Sequence, residues 1–473
     1  MDYTKIVIIG AGSHFTLGLF GDLFRVNDLW ESELVLMDIN EEKLNMMKRI
    51  VERSVKHEKV SLRINATDNL DEALENADFV IITIRSGNLR TLKEIIEVPL
   101  RLGTVEIVGD TVGPSGILKG IVEMPAIINI AEKIRDLSPH ALVMNFTNPM
   151  TPICEAIEKT AKIETVGLCH GVHHIRRLAS EILRIPHAEK LDVEAAGINH
   201  FTWTVDMRYE GESVYADFLN ALFLEKNEEA IVNHPYLIGR DLYKVLGVPP
   251  TLSDRHTSEF FHYLYDWIND PKYGPILKRI SGFIDYENKT LRREIAEDEK
   301  ERMQRLLRMA EGREEIKIVP SGEYAMDIIS AVKNRRETRL LAANIPNNGA
   351  LRDVSSERFV EVPIQVSEQG LVPVRMFQLP KAITSMLNLH LDKFQLLVDG
   401  ILEKEKNLIV QAIALDPLTP SPEKAEKSLA HSLNMFHCKI ISDVESFPSE
   451  VYYIHKRSDP NVVESMISFL VIF

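Results

Sequence analysis

Lys5-Ile-Val-Ile-Ile-Gly10-Ala-Gly-Ser13 is the stretch on which the reading of the fold turns. Four consecutive β-branched residues without a polar interruption suit a strand covered on both faces. The glycines that follow let the backbone turn tightly and approach a pyrophosphate at the start of a helix. Asp38, closing the next strand Leu34 to Met37, can accept hydrogen bonds from a ribose and would repel a 2′-phosphate, which favours NAD over NADP. Gly10, Ala11, Gly12, Ser13 and Asp38 are therefore candidate dinucleotide contacts. Phe15 stands where the usual fingerprint has its third glycine.

Outward from this turn, short apolar runs alternate with longer amphipathic stretches over the first 170 residues. Lys5 to Ile9, Leu34 to Met37, Phe79 to Ile84, Ala141 to Phe146 and Thr165 to Leu168 read as strands. Such alternation predicts an α/β fold, a parallel sheet with helical crossovers of the lactate and malate dehydrogenase kind. Between Leu191 and Tyr209 the pattern becomes period-two, as in an antiparallel pair. From about Tyr215 helix signals dominate, including Ile295 to Arg308 and Leu391 to Leu415. The expected organisation is a Rossmann-type domain over 1–190 and a mixed, largely helical domain over 191–473. Glu297-Asp-Glu-Lys-Glu-Arg302 reads as a solvated helix face.

The 473 residues carry a formal net charge of −15, which disfavours nucleic-acid binding. The apolar run Ile467 to Phe473 is far shorter than the roughly 20 residues that span a bilayer. Three cysteines, Cys154, Cys169 and Cys438, are too few to staple such a chain. A reducing, cytoplasmic setting and a small-molecule substrate are expected.

Several short segments carry groups suited to chemistry. Asn145-Phe-Thr-Asn148-Pro149 follows a strand, where a carboxamide can both donate to and accept from sugar hydroxyls; equally, Asn-Pro starts turns. Cys169-His170-Gly-Val-His173-His174 follows another strand, and Gly197-Ile-Asn-His200 comes about 30 residues later. Thiolate and imidazole suit a borderline divalent ion, and two protein ligands would leave positions open for substrate. Core or surface roles fit the same residues. The loops Arg85-Ser-Gly-Asn88 and Gly109-Asp110-Thr-Val-Gly-Pro-Ser-Gly116 are flexible enough to cover a cofactor and a sugar. Arg85 and Asn145 join the cofactor candidates, and Asp110 and Asn148 the substrate candidates.

In order and spacing these segments resemble glycoside hydrolase family 4. The likeness runs through Ile8 to Ser13, Leu36-Met-Asp-Ile39, Asn148-Pro149, Cys169-His170, Gly197 to His200, Asn348-Gly-Ala350, Val360-Glu-Val-Pro363 and Gln411 to Leu418. It implies a glycosidase using NAD and a Mn²⁺-like ion, the ion held by Cys169 and His200, with Asn148 on the substrate. Paired carboxylates serve most glycosidases, and the NAD-dependent family is an exception to them. The implied reaction is oxidation at C3, proton removal from C2, elimination at C1 and addition of water.

The resemblance places a base near Gly247-Val-Pro-Pro-Thr-Leu-Ser-Asp254-Arg-His256. Asp254 is the first choice, with His256, Tyr243 and Glu259 as alternatives. His170 is the candidate acid. A His directly after the cysteine is typical of members acting on unphosphorylated sugars, and Cys-His-Gly resembles the α-glucuronidases. A uronate would need a cation, Arg255 first and Arg176 or Arg177 second. Rival outcomes are α-glucosidase, α-galactosidase and α-galacturonidase activity. Outside the family, a 2-hydroxy acid dehydrogenase and an NAD-sensing protein are the other readings. A homodimer or homotetramer is expected.

Overall fold

The computed structural model describes residues 3–433 apart from 283 and 368. Cys438 and the run at 467–473 lie outside the described residues. β1 (Lys5–Ile9), β2 (Glu33–Met37), β3 (Arg63–Thr67), β4 (Phe79–Ile82), β5 (Leu142–Asn145) and β6 (Thr165–Gly167) pair in parallel in the order β3-β2-β1-β4-β5-β6. The order reverses between β1 and β4, and open parallel sheets bind ligands at such a reversal. In β1, Ile6 and Ile8 enter the core on one face while Val7 and Ile9 enter the core on the other. Each such buried side chain contributes about 1.5–3 kcal/mol. β3 was not expected: Arg63-Ile-Asn-Ala-Thr67 is a half-exposed edge strand, where no continuous apolar run is needed.

The sheet continues past β6. β7 (Leu191–Ile198) and β8 (Phe201–Tyr209) form the expected antiparallel pair, extended by β9 (Glu212–Ser213), and β10 (Ile284–Asp285) with β11 (Thr290–Leu291) makes a separate hairpin. β12 (Thr338–Pro346) and β13 (Phe359–Ser367), with β14 (Gly370–Pro373) on the outer side of β13, bridge β6 to β7. One residue pair makes each junction: Gly167 opposite Asn344, and Gly197 opposite Glu361. These three strands had not been expected; they join a second half that is otherwise largely helical, as read. β12 contains Leu340-Leu-Ala-Ala343, strong helix formers that only long-range pairing holds extended. The long helix expected over Leu391 to Leu415 is two, Lys381–Leu402 and Lys406–Leu415, parted at Lys404 in the left-handed region (φ 59°). Among the described residues no helix is long and apolar enough to cross a membrane.

Two carboxylates are buried between these layers. Glu106 accepts from Ser115 N (2.9 Å) at the start of the helix Gly113–Leu137, and Glu155 meets Arg358 at 3.2 Å. Burial pushes Glu106 up to about 8 and Glu155 up to about 7, against those partners. An unfolded glutamate titrates near 4.3, so the folded chain holds more protons between about pH 4.5 and 8, and unfolding free energy falls as pH rises through that window. The urea midpoint is expected to be higher at pH 5 than at pH 8, with Glu106→Gln narrowing the difference. An equal or higher midpoint at pH 8 in the unsubstituted chain would contradict this.

Candidate active site

β1 ends in the turn Gly10–Ser13. Gly10 has φ 87°, and a Cβ there would strike the Thr83 carbonyl, so only glycine fits. Gly12 N donates to Asp38 Oδ2 (2.8 Å) and Asn40 N to Asp38 Oδ1 (2.9 Å). Asp38 thus fixes the turn that it faces and keeps a lone pair on each oxygen for a ribose hydroxyl. Ala11 N donates to Met37 O at 3.0 Å, and Ser13 Oγ accepts from Phe15 N at 3.2 Å. Phe15, in the third glycine's place, packs on Phe146 with ring centroids 5.1 Å apart, and both rings wall a cavity of about 430 Å³. That volume lies within the range of small-ligand sites.

The cavity opens at the C-terminal ends of β4, β5 and β6, and it brings together Asn148, Cys169, His170, His200 and Asp110. The sheet explains how residues 31 positions apart meet. Cys169 follows β6, and His200 lies in the two-residue turn joining β7 to β8 with φ 65°, on the far side of β12 and β13. Thr111 Oγ1 donates to Asp110 Oδ1 (2.9 Å) and therefore accepts from His200 Nδ1 (3.0 Å). This relay puts the proton on Nδ1 and leaves Nε2 as the nitrogen with a free lone pair. Burial would raise the Asp110 carboxyl, but Lys119, His200 and His256 outweigh it and bring it to about 2. Burial holds the His200 imidazole neutral, down to about 4.

The surroundings of Cys169 fit a cation. Burial, then Glu361 and Glu323, push its thiol well above the ordinary range, and the Asn199 amide hydrogen-bonds it. Asn148 Oδ1, Asn199 Oδ1, Glu323 Oε2 and Glu361 Oε1 are all buried without a partner. Four buried oxygens without donors beside a thiol and an imidazole suit a cation, while Arg255 Nε on the same cavity wall is an unpartnered donor. Among the described residues no three His, Cys, Asp or Glu side chains converge as a ligand set, and Cys169 and His200 line the same cavity.

Other expected residues are rearranged. His170 Nδ1 lies 2.7 Å from Glu323 Oε1, a bond that raises its pKa. Glu323 is held in turn because Asp22 accepts from Ser321 N (3.2 Å) and Gly322 N (3.3 Å). Asp254 is a correction. Its carboxylate is buried and accepts from Ile238 N (3.1 Å) and Gly239 N (2.9 Å), capping the helix Leu237–Leu246 outside the cavity wall. His256, two residues on, does line the cavity, its ring centroid 4.3 Å from that of His200. Tyr243 stacks on Phe223 away from the cavity, and buried Glu259 accepts from Ile107, Val108 and Gly109 N (2.6, 2.7 and 3.1 Å), tying down the loop that carries Asp110. Asn145 is also corrected as a cofactor contact: its carboxamide closes on Thr147 (2.9 and 3.0 Å). Cys154 is a buried small hydrophobe beside it, as expected. Arg85 pairs with Glu299 at 2.6 Å and borders an adjoining cavity. Arg255 and Arg177 line the main cavity, and Arg255 Nε is buried without a partner.

Residues 5–185 match the model of the family 4 glycosyl hydrolases, and residues 195–419 match the model of the family 4 glycosyl hydrolase C-terminal domain. The chain belongs to this family. Its likeness to an α-galactosidase of Rhizobium meliloti is 33% identity over 429 residues, 88% of this chain and 84% of the relative. An α-galacturonidase of Bacillus subtilis is 28% identical over 437 residues, 88% and 94% of the two chains. A Bacillus subtilis protein described as a glucosidase superposes with a TM-score of 0.79 at 27% identity, over 91% of this chain and 100% of that one. A 6-phospho-α-glucosidase from gut microorganisms, solved with NAD and Mn²⁺, shares the fold with a TM-score of 0.73 at 19% identity, over 92% and 98%. Membership of the family sets aside the dehydrogenase and the NAD sensor.

The placement of Asp254 makes a prediction. Asp254→Ala removes a helix cap and costs about 0.5–2 kcal/mol of stability, read as a lower unfolding midpoint, while kcat of this family 4 hydrolase stays within about threefold. A folded variant with kcat down by about 10²-fold or more would return the base to Asp254.

Proposed function

We propose that this family 4 hydrolase is an NAD- and divalent-metal-dependent α-glycosidase for small unphosphorylated α-glycosides, with α-linked hexuronides, glucuronides foremost, as its preferred substrates. The observation that carries the reading is the cavity wall where Cys169, His200 and Asn148 meet among buried acceptors that lack partners. The glycine turn with Asp38 supports NAD, and the relative solved with NAD and Mn²⁺ supports both groups.

NAD would supply a reversible hydride acceptor and the ion a Lewis acid. The chain's own residues do the rest. Cys169 and His200 would hold the ion, and the Asp110 to Thr111 relay fixes the tautomer that leaves His200 Nε2 free to do so. Asn148, with its oxygen unengaged, receives a sugar hydroxyl. His170, its proton secured by Glu323, protonates the departing C1 oxygen. His256 takes the proton from C2, replacing Asp254 in that role. The apolar side of the cavity, Phe15, Phe146, Met150 and Leu252, limits water around these transfers. Arg255, with an unused buried Nε, and Arg177 provide cations for a C6 carboxylate. The α-galacturonidase relative supports an acidic sugar, while the α-galactosidase relative favours a second reading, a neutral α-galactoside.

The test is a panel of nitrophenyl α-glycosides with NAD⁺, Mn²⁺ and a thiol reductant. Hexuronides should turn over faster than galactosides or glucosides. Arg255→Ala should lower kcat/KM for the hexuronide by about 10- to 100-fold, the worth of a charge-assisted hydrogen bond, and leave that for a galactoside nearly unchanged. Faster cleavage of the neutral galactoside overturns the hexuronide reading. In D₂O the released sugar should carry deuterium at C2, and His256→Ala should lower both turnover and labelling. Full activity after chelation and removal of NAD would refute the cofactor reading.

A further inference from the structure

The helices Lys381–Leu402 and Lys406–Leu415 carry a charge into the interior that no step of the reaction uses. Lys393, on the first helix, is fully buried. Its ammonium donates to Oδ2 of buried Asp416 (2.6 Å), just past the end of the second helix, and to His390 Nδ1 (3.0 Å). Lysine is almost never fully buried without such partners. An ammonium can only donate, so His390 Nδ1 accepts and the ring proton sits on Nε2, which donates to the Phe260 carbonyl at 3.2 Å. Burial and then Lys393 push this imidazole well below its usual range, which keeps the ring neutral as that pattern requires.

Each arm of the cation ends on a segment of the cavity wall. Asp416 Oδ2 also accepts from Gly113 N (3.1 Å), two residues after Thr111, and Oδ1 accepts from Leu418 N (2.9 Å). The loop with Asp110 and Thr111 is thus anchored on both sides. Glu259 takes the amides of Ile107, Val108 and Gly109, while Asp416 and Glu106 take those of Gly113 and Ser115. The other arm, through His390, holds Phe260, which adjoins Glu259 and lies four residues after His256. Both anchors of the Asp110 loop, and the segment bearing Arg255 and His256, therefore share one buried ammonium. A buried ion pair is a weak source of stability, because apolar residues of similar volume often serve as well.

We propose that Lys393 is a positioning residue that sets His200 and His256 relative to one another. Through Asp416 it fixes Gly113 and with it the relay from Asp110 and Thr111 to His200, and through His390 it fixes the segment 254–260. The two imidazoles, with ring centroids 4.3 Å apart, stand where those two segments meet. The proposal rests on the reading of His200 as a ligand of the ion and of His256 as the base.

Two variants of the full chain test it. Lys393→Met with Asp416→Asn removes the ion pair without leaving a buried charge, and His390→Phe cuts only the arm to Phe260. The measurements are thermal unfolding, calorimetric titration of NAD⁺, calorimetric titration of Mn²⁺ with NAD⁺ present and no substrate, and kcat and KM on nitrophenyl α-glucuronide and α-galactoside. The double variant should bind Mn²⁺ about tenfold more weakly, as on losing an outer partner of a metal ligand, and hold NAD⁺ within about threefold. His390→Phe should keep KM and bind Mn²⁺ within about twofold, while kcat falls about tenfold because the base is misplaced. If a folded variant shows a lower unfolding midpoint but Mn²⁺ affinity and kcat both within about twofold, or loses NAD⁺ by the same factor as Mn²⁺, the pair is merely structural and the positioning role is overturned. If the unsubstituted chain binds no Mn²⁺, or His256→Ala leaves its turnover intact, the underlying reading of the site fails instead.

Discussion

Two glycines, each opposite a buried polar side chain, hold the structure's central constraint. Gly167 at the end of β6 faces Asn344 on β12, whose amide reaches back to the Gly167 carbonyl at 3.3 Å, and Gly197 on β7 faces Glu361 on β13. A Cβ on Gly167 would press against Met150 and Asn344, and one on Gly197 would collide with the Phe201 carbonyl. These junctions join the parallel and antiparallel halves of the sheet, and Cys169 and His200 stand just beyond them. The thiol and the imidazole share a cavity because four strands, β6, β12, β13 and β7, lie side by side.

Around that seam the protein sets buried carboxylates to different tasks. Glu259 anchors three successive amides of the loop leading to Asp110, and Asp110 directs His200 through Thr111. Glu323 holds His170, and Glu361 accepts from Asn199 at 3.3 Å. Burial raises the carboxyls of Glu259 and Glu361 well above the usual range, while Lys119, His200 and His256 hold that of Asp110 low. A carboxylate's role here follows from which cations share its burial.

What the sequence made legible divides along the same physical line. β1, the glycine turn and Asp38 could be read because a strand buried on both faces must be apolar throughout and a backbone turn at φ 87° must be glycine. The family resemblance supplied the pairing of Cys169 with His200, which spacing alone left open. β12 and β13 escaped notice because their extended state depends on partners far along the chain. Asp254 and His256 share a four-residue helix, where sequence does not say which side chain meets the cavity and which meets the neighbouring helix terminus. Glu323 had no periodic signal at all. Glu361 carries one: a single charge inside the apolar run Phe359 to Ile364 must be buried and must therefore have a task.

The junction at Gly167 also bears on how the molecule comes into being. Its partner Asn344 lies 177 residues further along the chain. A ribosome releases the whole parallel sheet, the glycine turn and Cys169 long before it has made β12 and β13. Until then the cysteine has no Glu361 behind it, and no intervening strands set its distance from His200. Contacts of such long sequence separation are slow to form because loop closure comes before any reward. The nascent chain therefore carries a finished parallel sheet beside an unfinished cavity wall, and Cys169 gains its buried surroundings only when β12 and β13 have been made.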